Sequence, residues 1–249
     1  MAGLNGISAI EVANGGKSAL VLSDRGTGHR FKILRDGATG AIVDVTNFGL
    51  PRPRRDTEGL AVLDDMTFVS FESPALIGTL EGRILPVPPG FAALPSNRAL
   101  EALAISQDGA LFTVPENPRN KGGPFPIYRY KDDAWTIVAY LRRSDGFHPT
   151  GADFGPDGLL YILERSFSVL GFRSRIRRID LNAPGPVIRT LLKTSLGTHD
   201  NLEGISVWQS DSGATCLSLV SDDNFLSIQV SELVEYALTE TLAHGASCD

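Results

Sequence analysis

The chain has 249 residues, 42% hydrophobic and 21% charged, a globular composition with enough apolar material to bury a sizeable core. A net charge of −6 argues against a nucleic-acid partner and suits a cationic one such as a metal ion. No apolar run approaches the roughly 18 residues that a membrane span needs, so no span is expected.

Met1-Ala2-Gly3 leads almost at once into patterned sequence, so no signal peptide is read here. Such a start fits a cytosolic protein, and equally an exported one without its leader. From there one motif recurs at intervals of about 45–60 residues. An acidic or polar residue precedes Gly or Ala, an apolar residue and a small one; a turn follows, then an apolar run that ends on Asp or Glu. The copies start at Asn5-Gly6-Ile7-Ser8, Glu58-Gly59-Leu60-Ala61, Glu101-Ala102-Leu103-Ala104, Thr150-Gly151-Ala152-Asp153 and Glu203-Gly204-Ile205-Ser206. They close on Asp24, Glu72, Glu116, Glu164 and Asp222.

Short apolar runs at 19–22, 67–70, 111–114, 159–162 and 216–220 predict strands. Turn residues precede several of them: Asn14-Gly15-Gly16, Asp108-Gly109, Asp157-Gly158 and Asp211-Ser212-Gly213. Further strands fit 30–34 and 41–45, 127–130 and 135–141, and 175–181 and 186–192. Residues 233–242 read as a short helix or, taken as 229–238, as a strand. Four strands per repeat, five times over, predict an all-β fold, a β-propeller of four-stranded blades occupying residues 1–249 as one domain. Six blades is the alternative. The last repeat lacks an evident fourth strand. Pro- and Gly-rich stretches at 48–56, 86–96 and 117–126, with the segment 166–173, are loops.

In a propeller, the start of each blade's first strand and the end of its second lie on the same end of the disc. Glu58, Glu101 and Glu203 should therefore share a rim with Asp24, Glu72, Glu116, Glu164 and Asp222, flanked by Asp56, Asp200, Asp223 and Asn224. His29, His148 and His199 are expected there too. Crowded carboxylates repel and raise one another's pKa. Two kinds of compensation are available. One is the neighbouring arginines Arg25, Arg98 and Arg165. The other is a hard cation: Ca²⁺ takes six to eight oxygen ligands in flexible geometry, whereas Mg²⁺ keeps more of its water. Zn²⁺ would call on the histidines, but the donor set is oxygen-rich. The acids also admit a purely structural reading, as caps of backbone N–H groups or partners of arginines between blades, and the histidines as loop residues without function.

The two cysteines, Cys216 and Cys248, lack metal-ligand spacing. They read as unrelated thiols or, alternatively, as a disulfide tying the C-terminal tail to the last hairpin, which would imply an oxidising compartment. A Gly-x-Ser-x-Gly elbow and a His-Glu-x-x-His motif are missing. Gly16-Lys17-Ser18 matches the end of a P-loop, but Glu11 stands where its first glycine is required. Arginines at 52, 54 and 55, and at 173, 175, 177 and 178, read as solvated loop or edge-strand charges.

Ser23-Asp24-Arg25-Gly26, Asp56-Thr57-Glu58-Gly59-Leu60-Ala61, residues 97–104 (NRALEALA), Leu163-Glu164-Arg165, Asn201-Leu202-Glu203-Gly204 and Ser221-Asp222-Asp223-Asn224-Phe225 occur in that order. Together they resemble the phytase-like domain family, also described as having esterase-like activity of phytase, over nearly the whole chain. The resemblance implies a propeller usually exported from bacterial cells, periplasmic or secreted, with phosphoester or ester hydrolase activity. Calcium-dependent propeller phytases are analogous only. The family's acids carry over to Asp24, Glu58, Glu72, Glu101, Glu116, Glu164, Glu203 and Asp222. Thr150 departs from the pattern, and the chain starts later than is usual.

Two functions follow as expectations. In the first, Ca²⁺ or another divalent metal held by Asp24, Glu72, Glu101, Glu116, Glu164 and Asp222 assists hydrolysis of a small anionic or ester substrate. Glu58, Glu203 or His199 would act as general base, Arg25 and Arg165 would hold the substrate, and residues 167–172 would shield one side. A lactonase-type propeller is a close variant. In the second, the same rim of a monomeric propeller binds a ligand or protein without catalysis.

Overall fold

The computed structural model describes residues 4–37, 39–50, 56–92, 94–95, 99–116, 122–225, 229–238 and 248. These residues form strands and no helix. The first blade comprises β1 (Ile7–Ala13), β2 (Ser18–Ser23), β3 (Thr27–Asp36) and β4 (Thr39–Gly49), and the second β5 (Thr57–Leu63), β6 (Met66–Phe71) and β7 (Leu76–Thr79). The third holds β8 (Ala102–Ile105), β9 (Leu111–Val114), β10 (Phe125–Lys131) and β11 (Ala134–Leu141). The fourth holds β12 (His148–Phe154), β13 (Leu160–Ser168), β14 (Gly171–Asp180) and β15 (Val187–Lys193). The fifth holds β16 (Asn201–Gln209), β17 (Thr215–Asp222) and β18 (Leu233–Leu238).

Each sheet runs in chain order with antiparallel neighbours. The innermost strands touch in the order β1, β5, β8, β12, β16 and back to β1. This is the expected five-bladed propeller. Four strands per blade holds for the first, third and fourth blades. The second and fifth show three among the described residues, the second adding a single bridge between Gly78 and Ile84. Residues 233–238 are strand, not helix.

The burial pattern explains the apolar runs. A central strand of a blade packs on both faces, so it reads as continuous rather than alternating hydrophobicity; β9 is buried at every position, whereas the outer β15 is exposed over Val187–Thr190. Each seam between blades has its own core. Phe112, Ile127 and Ile162 fill the seam between the third and fourth blades, and Tyr161, Ile205 and Leu217 that between the fourth and fifth. Phe31 and Trp208 join the fifth blade to the first. Leu22 and Leu60 join the first to the second, and Phe68 and Leu111 the second to the third.

At the axis the inner strands come closer than side chains allow. A β-carbon on Gly151 would lie 2.5 Å from the carbonyl oxygen of Glu203. On Gly204 it would lie 3.0 Å from the Cα of Ala9. Just before these glycines the strand pairing slips: register shifts separate Ile7 from Ala9, Thr57 from Leu60, Pro149 from Gly151 and Leu202 from Gly204. Such bulges turn the extra residue away from the ladder. Ser8, Glu58, Thr150 and Glu203 are those residues. In the first blade the repeat therefore aligns on Ser8-Ala9-Ile10 rather than on Asn5-Gly6-Ile7.

Among the described residues the ring closes without exchange of a strand between the termini. Instead, Gly6 N–H donates to Asp223 Oδ1 (2.9 Å), Val12 N–H to Ser206 Oγ (2.9 Å), and Arg35 makes a two-bond clamp on Glu235 (2.8 and 2.7 Å). Cys216 in β17 is disulfide-bonded to Cys248, with the Cα atoms 5.9 Å apart. The cysteines are thus not unrelated thiols. Cys248 also packs on the core of this seam. A cross-link of this loop length restricts the unfolded chain enough to stabilise by about 2–4 kcal/mol. Cys248→Ser should lower unfolding free energy by about that amount, measured by denaturant titration of wild type and variant, and reductant should reproduce the loss.

Candidate acidic site at the propeller mouth

Strand pairing sorts the acids into two tiers at one end of the axis. The lower tier is the set of residues that precede the axial approach: Ser8, Glu58, Glu101, Thr150 and Glu203. The upper tier lies at or just past the end of the second strand, and within it in the fourth blade: Asp24, Glu72, Glu116, Arg165 and Asp222. The alignment follows from Ala102 pairing with Val114, Gly151 with Leu163 and Gly204 with Val220. The fourth blade therefore contributes Arg165 to the mouth, not Glu164.

Adjacent residues on a strand face opposite ways, and these two do. Glu164 is completely buried between Arg175 (2.8 and 3.0 Å) and Arg177, which binds both of its oxygens, one at 2.6 Å. It is a structural ion-pair centre and does not join the mouth. Arg175 and Arg177 are buried with it, so they are not the solvated charges that the sequence suggests.

Arg165 lies among the carboxylates. Its guanidinium binds Glu203 and Asn201 and reaches Glu116 at 3.6 Å. Burial alone would lower its pKa; the charges of Glu203, Glu101 and Glu116 outweigh that and raise it. One guanidinium does not neutralise the ring. Burial, then the charge of Glu203, pushes the Glu58 carboxyl well above the usual range, with Glu72, Asp24 and Asp56 adding to the rise. Glu101 is raised by burial, Glu116 and Glu58 against a lowering by Arg165. Glu203 is raised by burial despite Arg165 and a 2.8 Å bond from Asn201 Nδ2. Glu72 and Asp222 are each pushed up to about 7, chiefly by burial. Asp24 is raised by burial against the Ser23 hydroxyl and Arg25. Glu58 and Glu101 accept no hydrogen bond among the described residues.

The flanking residues divide. Asp56 is exposed, its N–H on Asp24 carbonyl (2.9 Å) and its carbonyl accepting Glu72 N–H (3.0 Å), which stitches the first two blades together under the rim. Asp223 caps Gly6 and Phe225 N–H groups, a closure role. Asp200 binds the backbone N–H of Val230 and Asn201. Arg25 stacks on Phe225, 3.3 Å from the ring centre. His148 Nδ1 lies 3.0 Å from the Glu116 carbonyl, beside the mouth. His199 instead meets Tyr236 Oη (2.5 Å) on β18 and lies 3.7 Å from the Glu232 carboxylate, and His29 meets Asn47 (2.8 Å) on β4. Arg98 and the arginines at 52, 54 and 55 lie outside the described residues.

Oxygen donors, excess negative charge and raised pKa values fit a hard divalent cation better than a soft one. Among the described residues, no three His, Cys, Asp or Glu side chains are already drawn together closely enough to hold one.

A second carboxylate pair was not legible from the repeat. Glu11 and Asp153, on β1 and β12 beyond the axial glycines, approach at the opposite end. Asp153 accepts Val207 N–H (2.6 Å) and Phe154 N–H (2.7 Å), and burial pushes it up to about 7. Glu11 is raised by burial and by Asp153. A signal for Arg165 does exist: it follows the turn glycine Gly158 by the same number of residues as Glu116 follows Gly109.

A family model described as "Phytase-like: Esterase-like activity of phytase" matches residues 2–225. No curated protein sequence matches the chain. Among solved structures, an endo-arabinase from Bacteroides thetaiotaomicron is similar, with 13% sequence identity, a TM-score of 0.52, and coverage of 96% of this chain and 95% of that one. At that identity the likeness concerns the fold.

Two outcomes follow from the charge balance. A carboxyl raised in the folded state holds more protons there than when unfolded. Its stabilisation is fully present below the unfolded pKa, about 4, and is lost as pH rises through the folded value. With Glu72, Asp222 and Asp153 at about 7, the Tm of the metal-free protein should fall between pH 5 and 8; a flat or rising profile would contradict the assignment. Arg165→Met removes the embedded counter-charge and should destabilise by about 3–5 kcal/mol at pH 8. The loss should be smaller at pH 5, because the raised carboxyls around Arg165 carry less charge as pH falls, as read by denaturant unfolding at both pH values.

Proposed function

Since the chain belongs to the phytase-like family, described by esterase-like activity of phytase, we propose that its acidic mouth hydrolyses a phosphoester or carboxylic ester with the help of a hard divalent cation, Ca²⁺ foremost. The observation that carries this reading is the cluster of Glu58, Glu72, Glu101, Glu203 and Asp222, all driven toward protonation first by burial and then by one another's charge, with Arg165 set against the rise at Glu101 and Glu203. Natural sequences rarely keep such a cost at a site without use for it.

Asp24, Glu72, Glu101, Glu116 and Asp222 are the residues that would hold the cation. When bound, it would polarise the ester or phosphoryl oxygen and lower the pKa of a bound water. Arg165 points its guanidinium into the same space and would hold an oxygen of the substrate by charge-assisted hydrogen bonds. Glu203, tied to Arg165 and Asn201, positions that guanidinium. Glu58 has a raised pKa and no donor committed to it, so it is a stronger base than an ordinary carboxylate and free to take a proton, which suits a general base. His199 has no part here, since its ring is engaged with Tyr236 on the outer side of its blade. The disulfide further supports an oxidising location, periplasmic or secreted.

Ca²⁺ at about 100 times its dissociation constant should stabilise the protein by roughly 2.7 kcal/mol, and chelator should reverse it. Glu58→Gln should keep the calcium-free Tm within a few degrees while lowering ester or phosphoester hydrolysis about 10²–10⁴-fold. Full activity in that variant, or no calcium response, would count against the site as drawn; a calcium response without any hydrolysis would leave a ligand-binding propeller.

A further inference from the structure

One apolar feature stands beside the acids. The β13–β14 hairpin extends past Arg165, with Arg165 paired to Ser174, Ser166 to Arg173, Phe167 to Phe172, and Ser168 to Gly171. Residues two apart on a strand share a face, and so do directly opposed cross-strand partners. Arg165, Phe167 and Phe172 therefore line one side. The contacts agree: the Phe167 and Phe172 rings are 5.2 Å apart, and the Arg165 guanidinium is 6.0 Å from the Phe172 ring centre. Arg173 goes to the other side, where it meets Ser166 and the Phe147 ring.

Beyond this pair the tip is bare. Phe167 is 69% exposed, Leu170 79% and Val169 95%. The hairpin is nevertheless braced. Gly197 N–H donates to the Phe172 carbonyl (2.9 Å), and Thr194 exchanges backbone and side-chain bonds with Ser174. An apolar surface thus rises from the guanidinium that borders the acids, held by its own ladder and open to solvent. Exposed apolar groups grouped in this way mark a contact site.

We propose that this hairpin holds the apolar part of the substrate, so that the substrate is an ester or monophosphoester carrying an alkyl or aryl group. The reacting group sits by Arg165 and the apolar group lies along Phe172, Phe167 and Leu170. This rests on the hydrolase reading of the mouth and narrows its substrate class. A compact polyanion gains nothing from the hairpin and is repelled by the surrounding carboxylates. A neutral ester, or a monophosphoester with far less charge than a polyanion, meets a matching surface along its apolar arm.

The test compares wild type with the Phe167→Ser/Leu170→Ser double variant, both changes at exposed positions. Hydrolysis of p-nitrophenyl acetate, butyrate and hexanoate is followed in the presence of Ca²⁺. Binding of methyl-, butyl- and hexylphosphonate is measured by calorimetry. In wild type, kcat/KM and affinity should each rise about threefold per added methylene. The double variant should lose most of that rise, by tenfold or more for the hexyl compounds, through KM. Absence of a chain-length effect in either assay, or its survival in the variant, overturns the proposal. If neither these esters nor p-nitrophenyl phosphate is cleaved but phosphonate binding shows the dependence, the apolar wall stands and the hydrolase reading fails. If chain length has no effect but wild type sediments with phosphatidylcholine vesicles and the variant does not, the hairpin is a membrane contact and the proposal is overturned.

Discussion

The close approach of the inner strands at the axis governs this molecule. Where Gly151 faces the Glu203 carbonyl and Gly204 faces Ala9, there is no room for a β-carbon. The residue just before each of these glycines cannot stay in the ladder, and a bulge turns it toward the mouth. Side chains at those positions are therefore gathered by the backbone, whatever their charge. Two of them, Glu58 and Glu203, are glutamates, and Glu101 stands at the equivalent place in the third blade without a bulge. Their proximity is a consequence of the packing that closes the ring, and their mutual repulsion is a cost that the seam cores must outweigh.

Carboxylates of one kind meet two fates here, decided by strand direction alone. Glu164 is fully buried and satisfied by two arginines, a geometry in which breaking the pair is costly although the pair itself adds little net stability. Glu58 and Glu101 are given no such partner, and Glu203 shares one guanidinium with Glu116. The protein thus spends its buried positive charge on a structural site in the fourth blade and leaves the mouth short of it. Under-compensation of this kind is expected where a ligand supplies the missing charge.

The ring is also polar in the sense of having a front. Four blades contribute Asp24, Glu72, Glu116 and Asp222 at equivalent positions, whereas the fourth contributes Arg165, Thr150 and, directly above, the apolar hairpin. A five-fold scaffold becomes a site with one distinct side because a single blade departs from the repeat. The hairpin's braced base means that this side is preformed rather than assembled on binding.

Much of this was legible in the residues. Turn glycines such as Gly109 and Gly158 set off short apolar runs, and a five-fold recurrence of an acidic or polar residue, Gly or Ala, an apolar residue and a small one is enough to predict a propeller of five or six blades and which end carries the acids. Local periodicity carries that information because each blade is built from contiguous sequence. What local pattern cannot carry is facing. Glu164 and Arg165 are neighbours with opposite destinations, and a one-residue bulge, invisible in composition, decides which reaches the mouth. The first repeat was likewise displaced from Ser8 to Asn5 by a glycine at Gly6 that serves a turn. Nor can periodicity foresee Glu11 coming within reach of the charge of Asp153, His199 turning to Tyr236 or Cys248 reaching Cys216, because each pairing joins segments distant in sequence. By itself the sequence determined the architecture and the acidic end; which side chains share that end, and which are neutralised elsewhere, was decided only when the strands closed around the axis.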